Sequence, residues 1–331
     1  MAKCIHHIDA DGLCAAAIVK NELIDDFAPV TEEDFIPYNH GWKLELPEIK
    51  AGETVWFVDL ALDGVTFNAM KQCIEAGAHV IHIDHHKSGS AFYETLSPEG
   101  KATYDQVTRF FRTDYSGTML TWIYACMTED ERKDPANVQW DIASGLTHVG
   151  FWLNTPNKRE TAIPLAVRLI DDNDVWRHSL DESKYFALTF KSIEPEEKKP
   201  LNLKFWKELL YAAIPKKTME MIDRGRMLYD YQMSIYRGVI KNGFEYEIGG
   251  IKTFVVNCPF GNSELFGDKY NEYPMVCKYS YDGQIKKWRY TFYSNCKDPN
   301  VDCGEIARLF FAGGGHAGSS GGMLDYNYFE D

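Results

Sequence analysis

The feature that most constrains this chain is a pairing repeated through its first ninety residues. A short apolar run leads into a helical pattern, and acidic or imidazole side chains mark the junctions. Cys4–Ile8, Val55–Val58 and His79–Ile83 read as strands, with a further strand at Phe35–Tyr38, while Gly12–Leu23 and Val65–Ala76 read as helices. Short strands alternating with helices are the pattern of a parallel sheet with helical crossovers. Further helices are expected at Ser116–Met127, Val138–His148 and Ile163–Leu169. The charged segment Ser192–Pro200 reads as a surface connection, and Leu203–Ile240 as mostly helical with an interruption at Pro215. From Glu245 the texture changes to short β-like runs, Thr253–Asn257, Met275–Tyr281 and Trp288–Ser294, with a turn signal at Asp282-Gly283. The expected architecture is therefore an α/β parallel-sheet domain with flanking helices over 1–191 and a helical linker over 192–244. A smaller α+β domain over 245–331 follows, facing the first across a cleft.

Charge narrows the partners. Residues 1–215 hold 21 Lys+Arg and 34 Asp+Glu, a net of −13, and residues 216–331 hold 14 and 15, a net of −1, which together give the −14 of the chain. Such a balance argues against a broad basic grip on a long nucleic-acid polymer. Lys286-Lys287-Trp288-Arg289 is the one small basic cluster with an aromatic, and it reads as a solvated strand end. No apolar run approaches the roughly 18 residues of a membrane span, and the start reaches charge too early for a signal peptide. The expectation is a cytoplasmic protein with no membrane partner, for which a homo-oligomer is an open state. The eight cysteines form no CxxC pair and read as reduced, mostly buried thiols.

The chemistry is expected where the strands end. His6-His7-Ile8-Asp9-Ala10-Asp11-Gly12 follows the first strand, Asp59 the second, and Asp84-His85-His86 the third. The carboxyl ends of parallel strands share one edge of the sheet, so these groups, distant in sequence, converge there. Converging carboxylates repel unless neutralised, and carboxylates with a few imidazoles are ligands for Mn²⁺ or Mg²⁺. Two such ions roughly 3.5–4 Å apart clamp a phosphoryl centre, activating water on one side and stabilising the leaving oxygen on the other. Asp171-Asp172-Asn173-Asp174, after the apolar run Ile163–Ile170, is placed to close the same cage. Taken singly, each segment has a plainer reading as a turn, a solvated loop or a helix cap. The combination is what carries weight.

These segments, in this order, resemble the DHH phosphoesterase superfamily, which includes RecJ-type exonucleases, NrnA-type oligoribonucleases and family II inorganic pyrophosphatases. The resemblance implies that Asp9 and Asp11 are metal ligands of the first motif and that Asp59 bridges the ions. It makes His85 a ligand, His86 a phosphate contact and Asp84 the partner that orients an imidazole. His7 joins as a further ligand, and Asp172, in a sequence similar to the family's DxDxW version, is favoured over Asp174 as the fourth-motif ligand. The Ser116–Met127 helix resembles the family's "SG" helix and is read as structural. In the C-terminal third, Asn257, Ser263-Glu264-Leu265 and Val301–Ala307 lead into Gly313-Gly314-Gly315-His316. That glycine-rich loop resembles the substrate clamp of the DHH-associated domain, where backbone N–H groups approach phosphate oxygens.

Three positions depart from the family pattern. Ile5 stands where some members carry a histidine, Tyr293 stands where an arginine is frequent, and Gly318-Ser319-Ser320 replaces the usual Ala-Ala pair. The expected activity is a Mn²⁺-dependent phosphodiesterase with two ions, acting on short oligonucleotides or nucleotide termini. The alternatives are a phosphoesterase for a cyclic dinucleotide, 3′-phosphoadenosine phosphate or polyphosphate, and a catalytically weak DHH-fold binding module.

Overall fold

The computed structural model describes residues 2–24, 29–143, 146–150 and 159–330. The chain divides into two compact units, 1–228 and 229–331. The division falls inside one long helix, whereas the sequence pattern suggested a separate linker over 192–244.

The first unit opens with β1 (Ala2–His7), α1 (Ala10–Ile18), β2 (Phe35–Tyr38), β3 (Thr54–Val58), α2 (Gly64–Glu75), β4 (His79–Asp84), α3 (Lys87–Thr95), α4 (Pro98–Tyr104), β5 (Thr108–Phe111) and α5 (Gly117–Cys126). The five strands form one wholly parallel sheet in the order β2-β1-β3-β4-β5. Side chains alternate across it as a pleated strand requires. Cys4, Trp56, Val58 and Ile83 pack into one core with residues of α1 and α5, while Ile5, Val55, Phe57 and Val80 pack into a second with residues of α2. The chain leaves the carboxyl end of β1 toward β2 and that of the adjacent β3 toward β4, in opposite directions across the sheet. Such a switch point opens a crevice at the strand ends.

After α6 (Glu129–Arg132) comes a three-stranded antiparallel sheet, β6 (Gln139–Ala143), β7 (Leu146–Gly150) and β8 (Arg159–Ala162). This corrects the helix expected at Val138–His148. Val138, Trp140 and Ile142 alternate with Gln139 and Asp141, and a period of two is a strand pattern. Four helices follow, α7 (Leu165–Asp174), α8 (Glu182–Ser192), α9 (Leu203–Leu210) and α10 (Lys216–Lys241), the last running across the division between units. Helix α7 extends through the acidic cluster that the sequence pattern placed after it. None of the helices is long and apolar enough to cross a membrane, among the described residues.

The second unit holds β9 (Phe244–Ile248), β10 (Ile251–Asn257), α11 (Lys269–Glu272), β11 (Met275–Asp282), β12 (Lys287–Tyr293), α12 (Cys303–Phe310), β13 (Gly314–His316) and β14 (Ser319–Leu324). Its mixed sheet has the order β13-β14-β12-β11-β10-β9, with β10 and β11 the parallel pair. Helix α12 contributes Cys303, Ile306 and Ala307 to a core with Val255, Cys277, Tyr290 and Phe292. All eight cysteines are free.

Candidate metal centre at the carboxyl edge of the parallel sheet

Strand β1 delivers His7 to the sheet edge, and Asp9 starts α1 as its N-cap, accepting a hydrogen bond from Gly12 N at 3.0 Å. A Cβ on Gly12 would lie 2.4 Å from the carbonyl oxygen of His7, so only glycine lets the helix start this close to the strand. His7 Nδ1 lies 2.9 Å from Asp9 Oδ2 and 3.6 Å from Asp59 Oδ2, while its Nε2 meets Asn39 Oδ1 at 3.2 Å. Asp59, directly after β3, has a φ of 56°. A left-handed backbone at a non-glycine residue costs about 1–3 kcal/mol and is tolerated where surroundings over-determine it, commonly at functional sites.

The other oxygen of Asp59 faces β4. His85 Nε2 lies 3.2 Å from Asp59 Oδ1, 3.3 Å from Asp174 Oδ2 and 3.7 Å from Asp11 Oδ2. Asp11 is braced from a distant element, since Gly117 N donates to its Oδ2 at 2.6 Å and Thr118 N to its Oδ1 at 2.7 Å. These amides open α5, whose N-terminus favours a carboxylate. Gly117 is a glycine for a steric reason: a Cβ there would sit 2.7 Å from Asp59 Cβ. Thus the Ser-Gly start of α5, read from sequence as structural, positions two carboxylates of the cluster.

The result is two donor sets, His7, Asp9 and Asp59 in one and Asp11, His85 and Asp174 in the other, joined by a third that takes Asp59 from the first, His85 from the second, and His86, each with its ligand atoms within 4.8 Å of one another. Oδ2 of Asp59 faces the first set and Oδ1 the second. The electrostatics fit a pair of divalent cations. Burial and the neighbouring Asp11 carboxylate push Asp59 well above the usual carboxyl range. Burial and Asp11 likewise push Asp174 up to about 8. Burial opposes a charge on His7, but the Asp59 and Asp9 carboxylates outweigh it and raise His7 to about 11. Two buried atoms of the first set, His7 Nδ1 and Asp59 Oδ2, have no aligned hydrogen bond although they face each other. Repelling carboxylates interleaved with imidazoles are satisfied by a divalent cation.

Asp84 and His86 stand beside this centre. His86 Nδ1 lies 2.7 Å from Asp84 Oδ1. Burial alone would raise Asp84, yet the neighbouring imidazoles, His86 first, hold it below the usual range. An ionised Asp84 makes Nδ1 the donor of that bond and leaves Nε2 for substrate. His40, unremarked in the sequence, brings a third imidazole to the rim, with its ring centroid 6.0 Å from that of His7 and 6.2 Å from that of His86.

Asp172 is a correction. Its carboxylate accepts from Ser179 N at 2.8 Å, Ser179 Oγ at 2.5 Å and Leu180 N at 3.2 Å. It is absent from both donor sets, and Asp174 takes the place expected of it. Asp171 also has its partners elsewhere, accepting from Ser116 N and Arg177 Nη1. On a helix, positions 171 and 174 share a face and 172 is turned away from 174. In the second unit, Gly313, Gly314, Gly315 and His316 are exposed, and 314–316 form the edge strand β13, where a loop was expected. Tyr293 is half-buried beside Phe266 in that unit.

No family model and no curated protein matches the chain. Solved structures do. A DHH domain from a member of the s1p family of ribosomal proteins matches at 13% identity and a TM-score of 0.49, over 98% of this chain and 83% of that one. The pGpG-specific phosphodiesterase PggH from Vibrio cholerae matches at 15% identity and a TM-score of 0.41, over 98% and 93%. An exopolyphosphatase-related protein from Bacteroides fragilis matches at 13% identity and a TM-score of 0.39, over 100% and 87%. The chain is similar to DHH-domain proteins. At these scores the reading of its chemistry rests on its own residues.

Proposed function

We propose that this protein is a Mn²⁺-dependent phosphodiesterase that hydrolyses short oligonucleotides or nucleotide termini with two ions. The observation that carries the reading is Asp59, one carboxylate shared between two donor sets and held there on a strained backbone. His7 and Asp9 would hold one ion, Asp11, His85 and Asp174 the other, and Asp59 both. Bound there, the ions supply Lewis-acid neutralisation of the phosphoryl charge and an acidified water. The protein's own groups supply position and hydrogen bonds. The α5 amides fix Asp11, Asp84 fixes the His86 ring, and in its imidazolium form His86, with Nδ1–H on Asp84, has Nε2–H left to donate to a phosphoryl oxygen as charge builds.

Short substrates are favoured by charge. A polymer channel needs a basic stripe, and the residues of the centre all lie within the acidic part of the chain, 1–215. A binding module has no use for repelling carboxylates and a strained aspartate, since each costs stability. The test is a panel of labelled di- to pentanucleotides, longer strands, cyclic dinucleotides, 3′-phosphoadenosine phosphate and pyrophosphate, each with Mn²⁺. Cleavage fastest on the shortest strands supports the reading. If nothing is cleaved faster than by an Asp59→Ala control, the protein is not a phosphodiesterase.

A further inference from the structure

Beyond α7 the chain makes a turn that the metal centre does not need. Trp176 and His178 both lie in the left-handed region, with φ of 55° and 48°. A left-handed conformation costs an L-residue about 1–2 kcal/mol, and here it occurs twice within three residues. The turn is held by residues on every side. Arg177 N and His178 N donate to Asp172 O at 3.0 and 3.3 Å, and the Asp172 carboxylate takes the three bonds from Ser179 and Leu180. Arg177 donates to Asp171 Oδ2 and to Asp114 O, each at 2.7 Å. Two carboxylates of the acidic cluster are thus committed to this turn and not to a cation.

What the turn presents is an indole in water. Trp176 is 73% exposed, and its ring is supported edge-on by His178, with centroids 5.3 Å apart at 80°. Buried aromatics normally repay such scaffolding by packing, but this one leaves most of its surface free. It also stands close to the chemistry. Only Val175 separates it from Asp174, so the two Cα atoms lie within about 7.6 Å of each other. Asp174 in turn is 3.3 Å from His85 Nε2.

We infer that Trp176 is a stacking platform for a nucleobase of the substrate, built by Asp171, Asp172 and Arg177. This inference rests on the phosphodiesterase reading and names what that site recognises next to the scissile phosphate. The chemistry selects a base over a second phosphate. Arg177, the cation next to the indole in the chain, is engaged by the Asp171 carboxylate and the Asp114 carbonyl rather than by a second phosphate, whereas the indole offers a neutral π-face. Stacking is tolerant of base identity, because every base has a π-face.

The test is equilibrium dialysis of labelled AMP in the presence of Mn²⁺, with ribose 5-phosphate as the baseless probe, on the wild type, Trp176→Ala and Trp176→Phe. Loss of the indole is expected to weaken AMP binding on the order of 5- to 100-fold, with the phenylalanine variant keeping most of the affinity. Ribose 5-phosphate binding should be the same in all three proteins. The inference is overturned if Trp176→Ala binds AMP as the wild type does, if AMP and ribose 5-phosphate weaken in parallel, or if the wild type does not prefer AMP. Dialysis needs no turnover, so its outcome is separate from the cleavage panel. An AMP preference lost in Trp176→Ala with no cleavage of any substrate would sink the enzymatic reading and keep the platform. Cleavage with unaltered AMP binding in Trp176→Ala would do the reverse.

Discussion

The two donor sets that meet at Asp59 are built to different standards. Asp11 is 1% exposed in its side chain, with both oxygens clamped by backbone amides of α5. Asp9 is 45% exposed and steadied by a single amide of its own helix. His85 is enclosed by three carboxylates, whereas His7 has two, Asp9 and Asp59, and turns its other nitrogen to Asn39 in the loop after β2. Rigid, desolvated ligands would fix one ion, while a rim site would let the other exchange with solvent and substrate. Calorimetric titration with Mn²⁺ should therefore resolve a tight and a weaker site, and two equivalent sites would remove the distinction.

The largest effect is expected where the sets join. Asp59→Ala takes a ligand from both, and turnover should fall at least about 10³-fold, the scale on which electrostatic stabilisation of a transition state is lost. Both binding events should fade from the titration together. If one tight site survives unchanged, Asp59 is not shared. Next in size is Gly117→Ala, which touches no substrate but forces a methyl toward Asp59 Cβ at 2.7 Å. The displaced carboxylate should lower turnover roughly 10- to 100-fold, as changes behind a ligand do. Activity equal to wild type would show that the cluster relaxes freely.

Asp11→Asn and Asp9→Asn sharpen the contrast further. An amide at position 11 sets its NH₂ against the Gly117 or Thr118 N–H, so thermal unfolding should report a loss of about 1–3 kcal/mol for the unsatisfied buried pair. Asparagine at position 9 is as good a helix cap as aspartate, so stability should hold within about 0.5 kcal/mol. Only the weaker Mn²⁺ event should suffer there. Equal destabilisation by the two variants would refute the difference in bracing.

Much of this was legible in the sequence because apolar runs of strand length ended in acids. Asp9, Asp59 and Asp84-His85-His86 were placed by that pattern alone, given that parallel strands share a carboxyl edge. Asp174 was not. Within Asp171–Asp174 the choice depends on where α7 ends and which face it turns to the sheet, and a run of acids shows neither. Gly117 escaped for another reason: its contacts with Asp59 and Asp11 cross about half of the first unit, and no local pattern reports them. Strands β6 and β7 stand where a helix is expected, although Val138, Trp140 and Ile142 alternate with polar residues in the sequence.

The smallest expected effect concerns protons. Asp59 and Asp174 are raised above the ordinary carboxyl value, Asp174 to about 8, and His7 is raised to about 11. For each, the folded pKa exceeds the unfolded one, so the native cluster holds protons that the unfolded chain has released. For the carboxyls the contribution to stability is complete below the unfolded value of 3.8 and declines as pH rises toward about 8, and for His7 it is complete below 6.5 and declines toward about 11. In the presence of a chelator, the Tm should therefore fall between pH 5.5 and 8, by an amount on the order of a few degrees. Mn²⁺ competes for the same atoms, and its affinity rises as the protons leave. With saturating Mn²⁺ the slope should flatten or reverse, and the gap between the two curves should widen with pH. A Tm gap that is constant across this range would mean that the carboxylates and His7 do not share their protons with a metal, which would separate the electrostatics of the cluster from its proposed chemistry.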